Sequence, residues 1–581
     1  MEFIKKIILN LRNYPILIVF LFGILASRDL LFTNGYFNMH DDLQMMRQLE
    51  MEKCFLDFQI PCRWIPDMGY GFGFPLFNFY PPLPYLIGEL VRLAGFSFVT
   101  AVKFTFALSI VISGLSMYFL AKEVFPNTLK IRGLTLPISA ILSALFYIWA
   151  PYHAVDVYVR GAMNEAWALA WFPLILLFGY KLILEKKDFK KWMILLSLSW
   201  TGLFMSHNIM VMIFTPVFAG WCLIFVYKEK RLIALPHLFI SGILALGLSA
   251  FFTIPAVIEQ TYVQVNTLVA GYYEYIAHFA SLNQLLVSRF WGFGPSIWGD
   301  NDGMSFQVGH LHWILSLVII ALISYRLLIK KTKWDSSQVI TLYLLAIGWF
   351  AVFMTHSRSI FIWQLIPPLK FVQFPWRFLT VAILSFSFAS GAFVSLIAKK
   401  WQIVSALSLI VVLLLLNWNY FKPQSVGPLT DTQKFSGAAW GLQQTAGIYD
   451  YLPIDAVTAP KEPQKYLAEV LQGKGNIQKA QEGTSWAKFD ANISSETAKV
   501  RIGIFKFPNW VTRVDGSVAY SYVDKNEQWG RMYVDLTRGN HKVELKLENT
   551  PIRSVSNIAS LITWTLLGVY LFKIKFLNVK A

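Results

Sequence analysis

Two adjacent carboxylates, Asp41 and Asp42, follow Met39 and His40 shortly after the first long apolar stretch of the chain. Ionisable side chains at such a place are costly to keep near lipid unless they are solvated or used. One interpretation is chemical: a carboxylate acts as general base towards a hydroxyl, or the pair binds a divalent cation. The other is structural, because an aspartate here can cap the helical-looking stretch 43–52.

Further polar side chains stand at the ends of apolar stretches, and each has a functional and a structural interpretation. An arginine there can bind phosphate oxygens bidentately or anchor a helix at the lipid surface. A histidine can move a proton or simply occupy a turn, and aromatic rings can contact a sugar or lie in the membrane interface. The arginine candidates are Arg160, Arg289, Arg358 and Arg377, and the other candidates are His40, Glu165, His207, Glu259, Tyr80 and Trp291.

The composition is that of a multi-pass membrane protein. The chain has 581 residues, 56% of them hydrophobic, with a formal net charge of +17. A basic balance can indicate nucleic acid, but the cations are concentrated in short loops beside apolar stretches, so no nucleic-acid partner is expected. Cys54 and Cys62 share one loop and leave two alternatives open, a disulfide or two thiols, whereas Cys222 lies in an apolar stretch where packing is expected.

Lysine and arginine accumulate on alternate loops. Cytoplasmic loops hold an excess of these residues because positive side chains resist translocation. The cation-poor loops, including the one with Asp41 and Asp42, are therefore predicted to face away from the cytoplasm, with both termini cytoplasmic and the protein in the inner (cytoplasmic) membrane. The cationic loops are marked by Lys5, Lys6 and Arg12; Lys122, Lys130 and Arg132; Lys186–Lys191; Lys228–Arg231; Arg326–Lys333; Lys399 and Lys400; and Lys573–Lys580.

About twelve apolar stretches are long enough to cross the ~30 Å of hydrocarbon in a bilayer. They lie at 14–33, 101–121, 134–152, 164–184, 192–206, 209–227, 234–257, 311–329, 338–355, 376–398, 402–420 and 556–573. The stretch 76–99 is also apolar but contains Pro81, Pro82 and Pro84, so we expect it to lie in the interface or to re-enter the membrane.

These patterns predict an α-helical polytopic membrane domain over 1–420, a small extracytoplasmic antiparallel β-domain over 421–555, and a final transmembrane helix with a cytoplasmic tail over 556–581. The extracytoplasmic loops of the first domain are 34–100, 153–163, 258–310 and 356–375. In the β-domain, a sandwich is expected: alternating residues predict strands at 486–493 and 543–547, turns at Asp515-Gly516 and Arg538-Gly539-Asn540, and a short helix near 464–472.

Several motifs resemble a bacterial membrane-protein family labelled "6-pyruvoyl-tetrahydropterin synthase-related", which is allied to the YfhO-like proteins. The likeness spans nearly the whole chain, and its most specific part is the glycine-rich stretch from Gly69 to Leu83. The other motifs are Met39-His40-Asp41-Asp42, Ile60–Pro66, Tyr158-Val159-Arg160-Gly161-Ala162 with Glu165, Phe374-Pro375-Trp376-Arg377-Phe378, and Phe507-Pro508-Asn509-Trp510 with Asp515-Gly516.

Such proteins look like members of the GT-C superfamily of membrane glycosyltransferases. The resemblance implies a multi-span domain, a polyprenyl-phosphate-linked sugar donor and an acidic base in the first outside loop, which maps onto Asp41 or Asp42. Asp41 is favoured as the base, with Asp42 positioning it or binding a cation. The four arginines would bind the donor phosphate, and a cell-surface glycan, lipid or polymer would accept the sugar with inversion.

Cofactor use stays open, because some GT-C enzymes use a divalent cation such as Mg or Mn and others do not. Two other classes compete with a transferase. A transporter or flippase of lipid-linked saccharides would also need charges in a cavity, although nearer the bilayer midplane. A non-catalytic cell-envelope assembly protein would use the β-domain as its working part and would not need the carboxylates.

Overall fold

The computed structural model describes residues 14–577 except 126–128, 132–133, 186, 298 and 300. Among the cations used above to predict sidedness, Lys5, Lys6, Arg12, Arg132, Lys186 and Lys580 lie outside the described residues. The longer helices are Tyr14–Ala26, Gln44–Leu56, Leu83–Leu93, Phe98–Val124, Ile138–Ile148, Met163–Leu184, Phe189–Phe204, Asn208–Lys228, Ala234–Ile258, His310–Ser324, Ser336–Thr355, Leu379–Leu396, Lys399–Asn417 and Pro551–Leu577.

Short helical segments connect and extend these helices. They are Arg28–Phe32, Leu76–Phe79, Pro151–Ala154, Val155–Val159, Glu259–Tyr262, Val265–Val269, Gly271–Tyr273, Tyr275–His278, Asn283–Val287, Tyr325–Ile329, Ser357–Ser359, Ile360–Leu365, Pro367–Val372, Pro375–Phe378, Trp418–Tyr420, Asp431–Lys434 and Gly437–Thr445.

Nine helical segments within the described residues are long and apolar enough to cross a membrane, or ten if one bent pair counts as a span. The nine coincide with nine of the predicted stretches, so the chain is a multi-pass membrane protein. They are Phe98–Val124, Met163–Leu184, Asn208–Lys228, Ala234–Tyr262, His310–Ile329, Ser336–Thr355, Pro375–Leu396, Lys399–Tyr420 and Pro551–Lys573.

The other three predicted spans are shorter or broken. In 14–33 the helix Tyr14–Ala26 has 13 residues and is interrupted at Ser27, whose hydroxyl donates to Gly23 O. The stretch 192–206 is the helix Phe189–Phe204, whose 16 residues span ~24 Å. The stretch 134–152 is the bent pair: Ile138–Ile148 and Pro151–Val159 meet at 45°. Proline cannot donate the helical hydrogen bond and its ring displaces the preceding turn, which explains the bend.

The contacts divide the chain into two compact units, and the first comprises Met1–Asp42, Val99–Ala245 and Gly271–Pro428. The helix Leu379–Leu396 is at its centre, packed against Ile138–Ile148, His310–Ser324 and Ser336–Thr355. Gly391 allows this helix to pack closely against Ile138–Ile148, because a Cβ at position 391 would overlap Ser143 Oγ. Two short antiparallel pairs also belong to this unit, Tyr36–Phe37 with Val426–Gly427 and Leu129–Ile131 with Leu134–Leu136.

The second unit comprises Leu43–Phe98, Leu246–Ala270 and Leu429–Ala581, and contains a six-stranded antiparallel sheet. Two long strands, Trp486–Phe505 and Arg531–Leu547, pair along most of their length. The shorter strands Ala468–Gln472 and Gly475–Glu482 pair with the first of them, Trp510–Val514 pairs with the second, and Ser517–Ala519 pairs with Trp510–Val514. The prediction of antiparallel β-structure in this region is therefore confirmed. Its location on the extracytoplasmic side of the membrane stays a prediction.

Details of the β-prediction were wrong in three places. The expected helix near 464–472 is largely the strand Ala468–Gln472. The expected turn at Arg538-Gly539-Asn540 lies inside the strand Arg531–Leu547, where the register shifts and Gly539 has φ +142°. A bulge uses the same glycine signal as a turn. The strands also form one hydrogen-bonded sheet instead of two. The Asp515-Gly516 turn is confirmed between two strands.

The first predicted loop is cross-linked: Cys54 and Cys62 form a disulfide, which decides between the two alternatives for these residues. Cys222 is a free, buried cysteine, as expected for a packing residue. The stretch 76–99 forms the short helices Leu76–Phe79 and Leu83–Leu93 and contributes no membrane-length helix.

Candidate active site

The turn with the acid pair is bonded to the backbone of the segment 159–160. His40 N donates to Val159 O at 3.0 Å, and Asp41 N donates to Arg160 O at 2.9 Å. The residues Asp41 and Asp42 are half-buried. Two of the motifs singled out in the sequence, the acid pair and the Arg160 motif, are therefore neighbours in the structure.

The helix that follows the acid pair, Gln44–Leu56, has Leu43 at its N-cap position, and Leu43 makes no side-chain cap hydrogen bond. Asp41 and Asp42 thus precede the N-cap residue, and both interpretations of the pair stay predictions.

Gly161 allows the acid-bearing turn to pack closely against the segment 159–161. It has φ +61°, in the region that favours glycine, and a Cβ at this position would overlap the side chain of Met39. Met39 is buried, and Tyr36 Oη lies 4.0 Å from its sulfur. The glycine of the Arg160 motif is thus required by the packing of the residue two positions before Asp41.

A buried charge cluster surrounds Glu165 in the first unit. Arg160 Nη1 lies 2.9 Å from Glu165 Oε2 and donates to Tyr152 Oη at 3.2 Å, and Tyr152 in turn donates to Glu165 Oε1 at 2.7 Å. Arg160 also pairs with Asp156, one helical turn away. Arg377 Nε completes the cluster, 3.4 Å from Glu165 Oε2.

The cluster also has an aromatic wall and a histidine. Trp376 lies against the Arg160 guanidinium, whose carbon is 4.3 Å from the ring centroid. His207 Nε2 is 4.0 Å from Glu165 Oε2, at the N-cap of the helix Asn208–Lys228. Two arginines face two carboxylates, so the formal charges balance. Buried charges need such partners, because leaving one uncompensated costs several kcal/mol.

His40 contacts a second loop of the same unit. Its Nε2 lies 2.8 Å from Phe293 O. Burial lowers the pKa of His40 below its ordinary value, and the positive charge of Arg160 lowers it further, against the opposing effect of the Phe293 hydrogen bond. His40 is therefore expected to be neutral at pH 7, with Nε2–H donating to Phe293 O and Nδ1 able to accept a hydrogen bond.

The charge cluster and the cationic loops lie at opposite ends of the same helices. A 22-residue helix, ~33 Å long, carries Glu165 in its first turn and Lys181 in its last. Arg377 lies in the turn before another long helix, whose final carbonyl, Leu396 O, accepts from Arg326 Nη2 at 2.9 Å. On these two helices, Glu165 and Arg377 thus lie at the opposite end from Lys181 and Arg326.

The other two arginine candidates lie elsewhere in the first unit. Arg289 is exposed and donates to Leu416 O at 2.7 Å. Trp291 stacks on Tyr420, with ring centroids 4.4 Å apart. Arg358 is exposed in a short helical turn after His356. The four arginines therefore divide into two that are buried in the cluster and two that are exposed.

Tyr80 and Glu259 belong to the second unit. Tyr80 lies under the Arg47 guanidinium, whose carbon is 4.3 Å from the ring centroid. Glu259 Oε2 accepts from Asn78 Nδ2 at 2.9 Å and Arg553 Nε at 2.8 Å, and its Oε1 accepts from Thr550 Oγ1 at 2.6 Å. With both oxygens bonded to protein, Glu259 is better explained as a buried structural carboxylate than as a substrate ligand.

Sequence reasoning did not single out three members of the charge cluster, Tyr152, Asp156 and Trp376. Asp156 did give a signal: it is a carboxylate directly after a long apolar stretch, four residues before Arg160. Intramembrane or membrane-edge carboxylates usually have a partner on the next helical turn or on a neighbouring helix. Tyr152 carries no such signal, because similar aromatic residues occur throughout the chain. Trp376 lies in one of the motifs given above, in which only Arg377 was assigned a role.

The helix Gln44–Leu56 in the second unit buries its polar face. Gln48 Nε2 donates to Glu89 Oε2 at 3.1 Å, and Tyr85 Oη donates to Gln44 Oε1 at 2.7 Å. Burial raises the pKa of Glu89 to about 7, and the nearby Glu52 adds to the effect. Glu89 is therefore largely neutral in the folded protein below pH 7.

This raised pKa predicts a pH dependence of stability. Folding favours the neutral form of Glu89, so its contribution to the free energy of unfolding is complete below the ordinary pKa of a glutamate. The contribution declines as the pH rises from about 4.5 to 7. We expect the Tm of Glu89→Gln to rise relative to the Tm of the unaltered protein across this interval. Thermal unfolding in detergent at several pH values measures the difference, and a pH-independent difference would contradict the assignment.

Within the described ranges, no group of three or more His, Cys, Asp or Glu side chains is arranged to hold a metal ion. Mg²⁺ is often bound by one or two carboxylates together with substrate phosphates. A cation at the acid pair would have to be held by Asp41 and Asp42 together with oxygens of a substrate.

Fold and site together define a class, a multi-pass helical membrane protein with a buried charge cluster at one end of its helices and an antiparallel sheet. No family model matches the sequence. A protein from Lactococcus lactis subsp. cremoris (strain MG1363), described as an uncharacterized protein, is 25% identical over 254 residues. The match covers 42% of this chain and 39% of that protein, so this chain matches about two-fifths of that relative's length.

Solved structures give distant likenesses. The arabinofuranosyltransferase AftD from Mycobacteria matches with a TM-score of 0.45 and 14% identity, over 76% of this chain and 31% of that one. The archaeal oligosaccharyltransferase AglB from Archaeoglobus fulgidus, solved with an inhibitory peptide and a dolichol-phosphate, matches with a TM-score of 0.41 and 13% identity, over 78% of this chain and 61% of that one. These values are too low to carry an argument about fold or activity.

Proposed function

We propose that the protein is a membrane glycosyltransferase of the GT-C type. It would transfer a sugar from a polyprenyl-phosphate-linked donor to a cell-surface glycan, lipid or polymer on the extracytoplasmic side of the inner membrane. The observation that carries the proposal is the bond between Asp41 N and Arg160 O, since it joins the candidate base to the buried charge cluster.

The sidedness follows from the positive-inside rule. The lysines and arginines at one end of the helices resist translocation, so that end and both termini are assigned to the cytoplasm. The acid pair and the charge cluster, at the other end of the helices, then face outwards. Nucleotide sugars are made in the cytoplasm, so an outward site needs a donor that crosses the membrane as a lipid.

In the proposed reaction Asp41, or Asp42, takes the proton of an acceptor hydroxyl. The hydroxyl oxygen forms a bond to the anomeric carbon as the bond from that carbon to the phosphate oxygen breaks, with inversion. The electron pair leaves with the polyprenyl phosphate, whose charge increases during the step and needs a cation nearby. A divalent cation bound by Asp41 and Asp42 would supply further charge to the phosphate.

The exposed Arg289 is the better candidate for contact with the leaving phosphate. Arg160 and Arg377 are already balanced by buried carboxylates, whereas Arg289 is exposed. Arg289 is also four residues before Phe293, whose carbonyl contacts His40. The loop that carries Arg289 therefore contacts the acid-bearing turn through the hydrogen bond between His40 and Phe293.

Replacing Arg289 by glutamine is therefore expected to lower kcat/KM for the lipid donor by about tenfold or more, as for a lost charge-assisted hydrogen bond. Arg358→Gln is the comparison, because Arg358 is the other exposed arginine of the candidate set and lies in the same unit. Initial rates of the purified protein in nanodiscs, measured against donor concentration, give the comparison. If Arg358→Gln alone lowered kcat/KM, the assignment of the phosphate contact to Arg289 would be wrong.

The proposal as a whole is tested by the glycans of cells with and without the protein. Mass spectrometry of surface polysaccharides and lipid-linked saccharides is expected to show loss of one sugar from the polymer and accumulation of its lipid-linked donor. A transporter would instead leave the donor complete but on the cytoplasmic leaflet. Unchanged glycans and unchanged donor levels would overturn the proposal.

A further inference from the structure

The six-stranded sheet has one apolar and one polar face where the strands Ala468–Gln472, Trp486–Phe505 and Arg531–Leu547 run side by side. Residues alternate between the faces along a strand. Val500, Ile502 and Val534 are fully or almost fully buried, whereas their neighbours Lys499 and Arg501 lie on the opposite, more open face. A polar face of this kind is ordinarily covered by water alone.

Here a loop, 520–530, covers part of the polar face. Tyr522 and Tyr533 exchange backbone hydrogen bonds at 3.1 and 2.8 Å. Lys499 Nζ donates to Asp524 at 2.6 Å, and Tyr533 Oη donates to Glu527 at 2.6 Å. These polar contacts hold the loop against the sheet, and the Trp529 ring also packs against Phe72, with ring centroids 5.9 Å apart.

A cavity of about 410 Å³ lies between this loop and the sheet. That volume is in the range of small-molecule sites. Its lining includes the half-buried Trp529, the buried Tyr533, and the exposed side chains of Gln472, Asn526 and Gln528. We name this cavity, with those five residues and the charged side chains below, the sheet cavity.

Each charged side chain that lines the sheet cavity already has an opposite charge beside it. Lys499 pairs with Asp524, Arg501 Nε donates to Glu469 at 2.9 Å, and Arg531 Nε donates to Glu527 at 3.0 Å. Because each charge is offset by its partner, the lining offers little net charge to attract an ionic ligand. A neutral molecule with many hydroxyl groups can accept from the guanidinium groups and donate to the carboxylates without disturbing them.

We propose that the sheet cavity binds a neutral saccharide. The half-buried Trp529 would contact the C–H face of a sugar ring, and the paired charges and exposed amides would bond its hydroxyl groups. Resting on the proposed function, we assign this saccharide to the acceptor glycan, which the cavity would retain near the membrane between transfers. The binding itself requires no sugar transfer.

The test uses the full chain in nanodiscs on an array of oligosaccharides. The array holds neutral oligomers of glucose, galactose, mannose and rhamnose, and acidic oligomers that contain glucuronate. We expect binding to one or more neutral oligomers in preference to acidic ones. Trp529→Ala should abolish it, and Gln472→Ala and Gln528→Ala should each weaken it by about fivefold, the effect of one lost hydrogen bond.

Gln478→Ala and Gln481→Ala are the matched controls, because these exposed glutamines lie on the strand Gly475–Glu482 of the same sheet, outside the lining of the cavity. Thermal unfolding identifies any variant that fails to fold. If Trp529→Ala does not fold, Gln472→Ala and Gln528→Ala still test the proposal. Binding of acidic oligomers only, equal binding by Gln472→Ala, Gln528→Ala and the controls, or no binding at all would overturn the proposal.

The outcome is separable from that of the proposed function. Glycan binding without any sugar transfer by the unaltered protein would support the sheet cavity and contradict the transferase. Sugar transfer without neutral-glycan binding would support the transferase and contradict the proposed role of the sheet cavity.

Discussion

Replacing Asp41 and Asp42 together by asparagine is expected to reduce sugar transfer by about 100- to 10,000-fold, the usual contribution of a general base. Asparagine preserves size and hydrogen-bonding capacity but cannot take a proton at neutral pH. The turn should stay in place, because it is held by the backbone bond from Asp41 N to Arg160 O. The rate is measured with purified protein in nanodiscs and total polyprenyl-linked lipids extracted from the host.

The single variants assign the roles of the two carboxylates. If Asp41 is the base, Asp41→Asn should account for most of the loss, and the loss in Asp42→Asn should be smaller and sensitive to added Mg²⁺ or Mn²⁺. Asp29→Asn is the matched control: Asp29 lies in the same part of the chain and pairs with Arg28 at 3.7 Å. A double variant that transfers sugar as fast as Asp29→Asn would exclude the acid pair from catalysis.

Replacing Glu259 by glutamine is expected to lower the free energy of unfolding by about 3–5 kcal/mol, as for a buried ion pair that loses one partner. Glu259 pairs with Arg553, which is 1% exposed. Arg63 lies in the same network through Asn78, whose Oδ1 accepts from Arg63 Nη1 at 3.1 Å. Burial lowers the pKa of Arg63 to about 10, and Arg553 contributes to the effect, so this network already carries excess positive charge.

The measurement is unfolding in mixed detergent micelles, followed by circular dichroism. Glu274→Gln serves as the control, because Glu274 is an exposed carboxylate and surface changes usually alter stability by less than about 0.5 kcal/mol. The activity per folded molecule of Glu259→Gln should remain unchanged. A variant with normal stability and lost transfer would instead place Glu259 at a substrate.

The long spans and the strands could be predicted from the sequence because their signals are local. Nine stretches near 20 apolar residues each became a helix, and alternation at 486–493 and 543–547 became strand. Local signals were insufficient where the same residue pattern is compatible with two different backbone structures. Gly539 supports a bulge as readily as a turn, and the apolar run ending at Tyr152 does not reveal that the chain bends before Pro151.

The candidate site was predictable as a set of residues but not as an arrangement. The sequence identified Arg160, Glu165, His207 and Arg377, which come from four separate helical ends and meet only in the fold. Which arginines are buried and which stay exposed depends on packing between helices that are distant in sequence. The pairing of Asp156 with Arg160 is different: the two residues are four positions apart on one short segment, so this pair could have been predicted from spacing alone.

The fit of Met39 against Gly161 has a consequence for how a substrate would be received. A flexible acid-bearing loop would have to be ordered by each incoming molecule, at the expense of binding affinity. In this protein the conformational entropy of the acid-bearing turn is lost when the chain folds, before any substrate binds. The turn is already fixed because the Met39 side chain packs against Gly161. The turn is therefore preorganised, and enlarging Gly161 to alanine should loosen it and weaken substrate binding without removing any polar group.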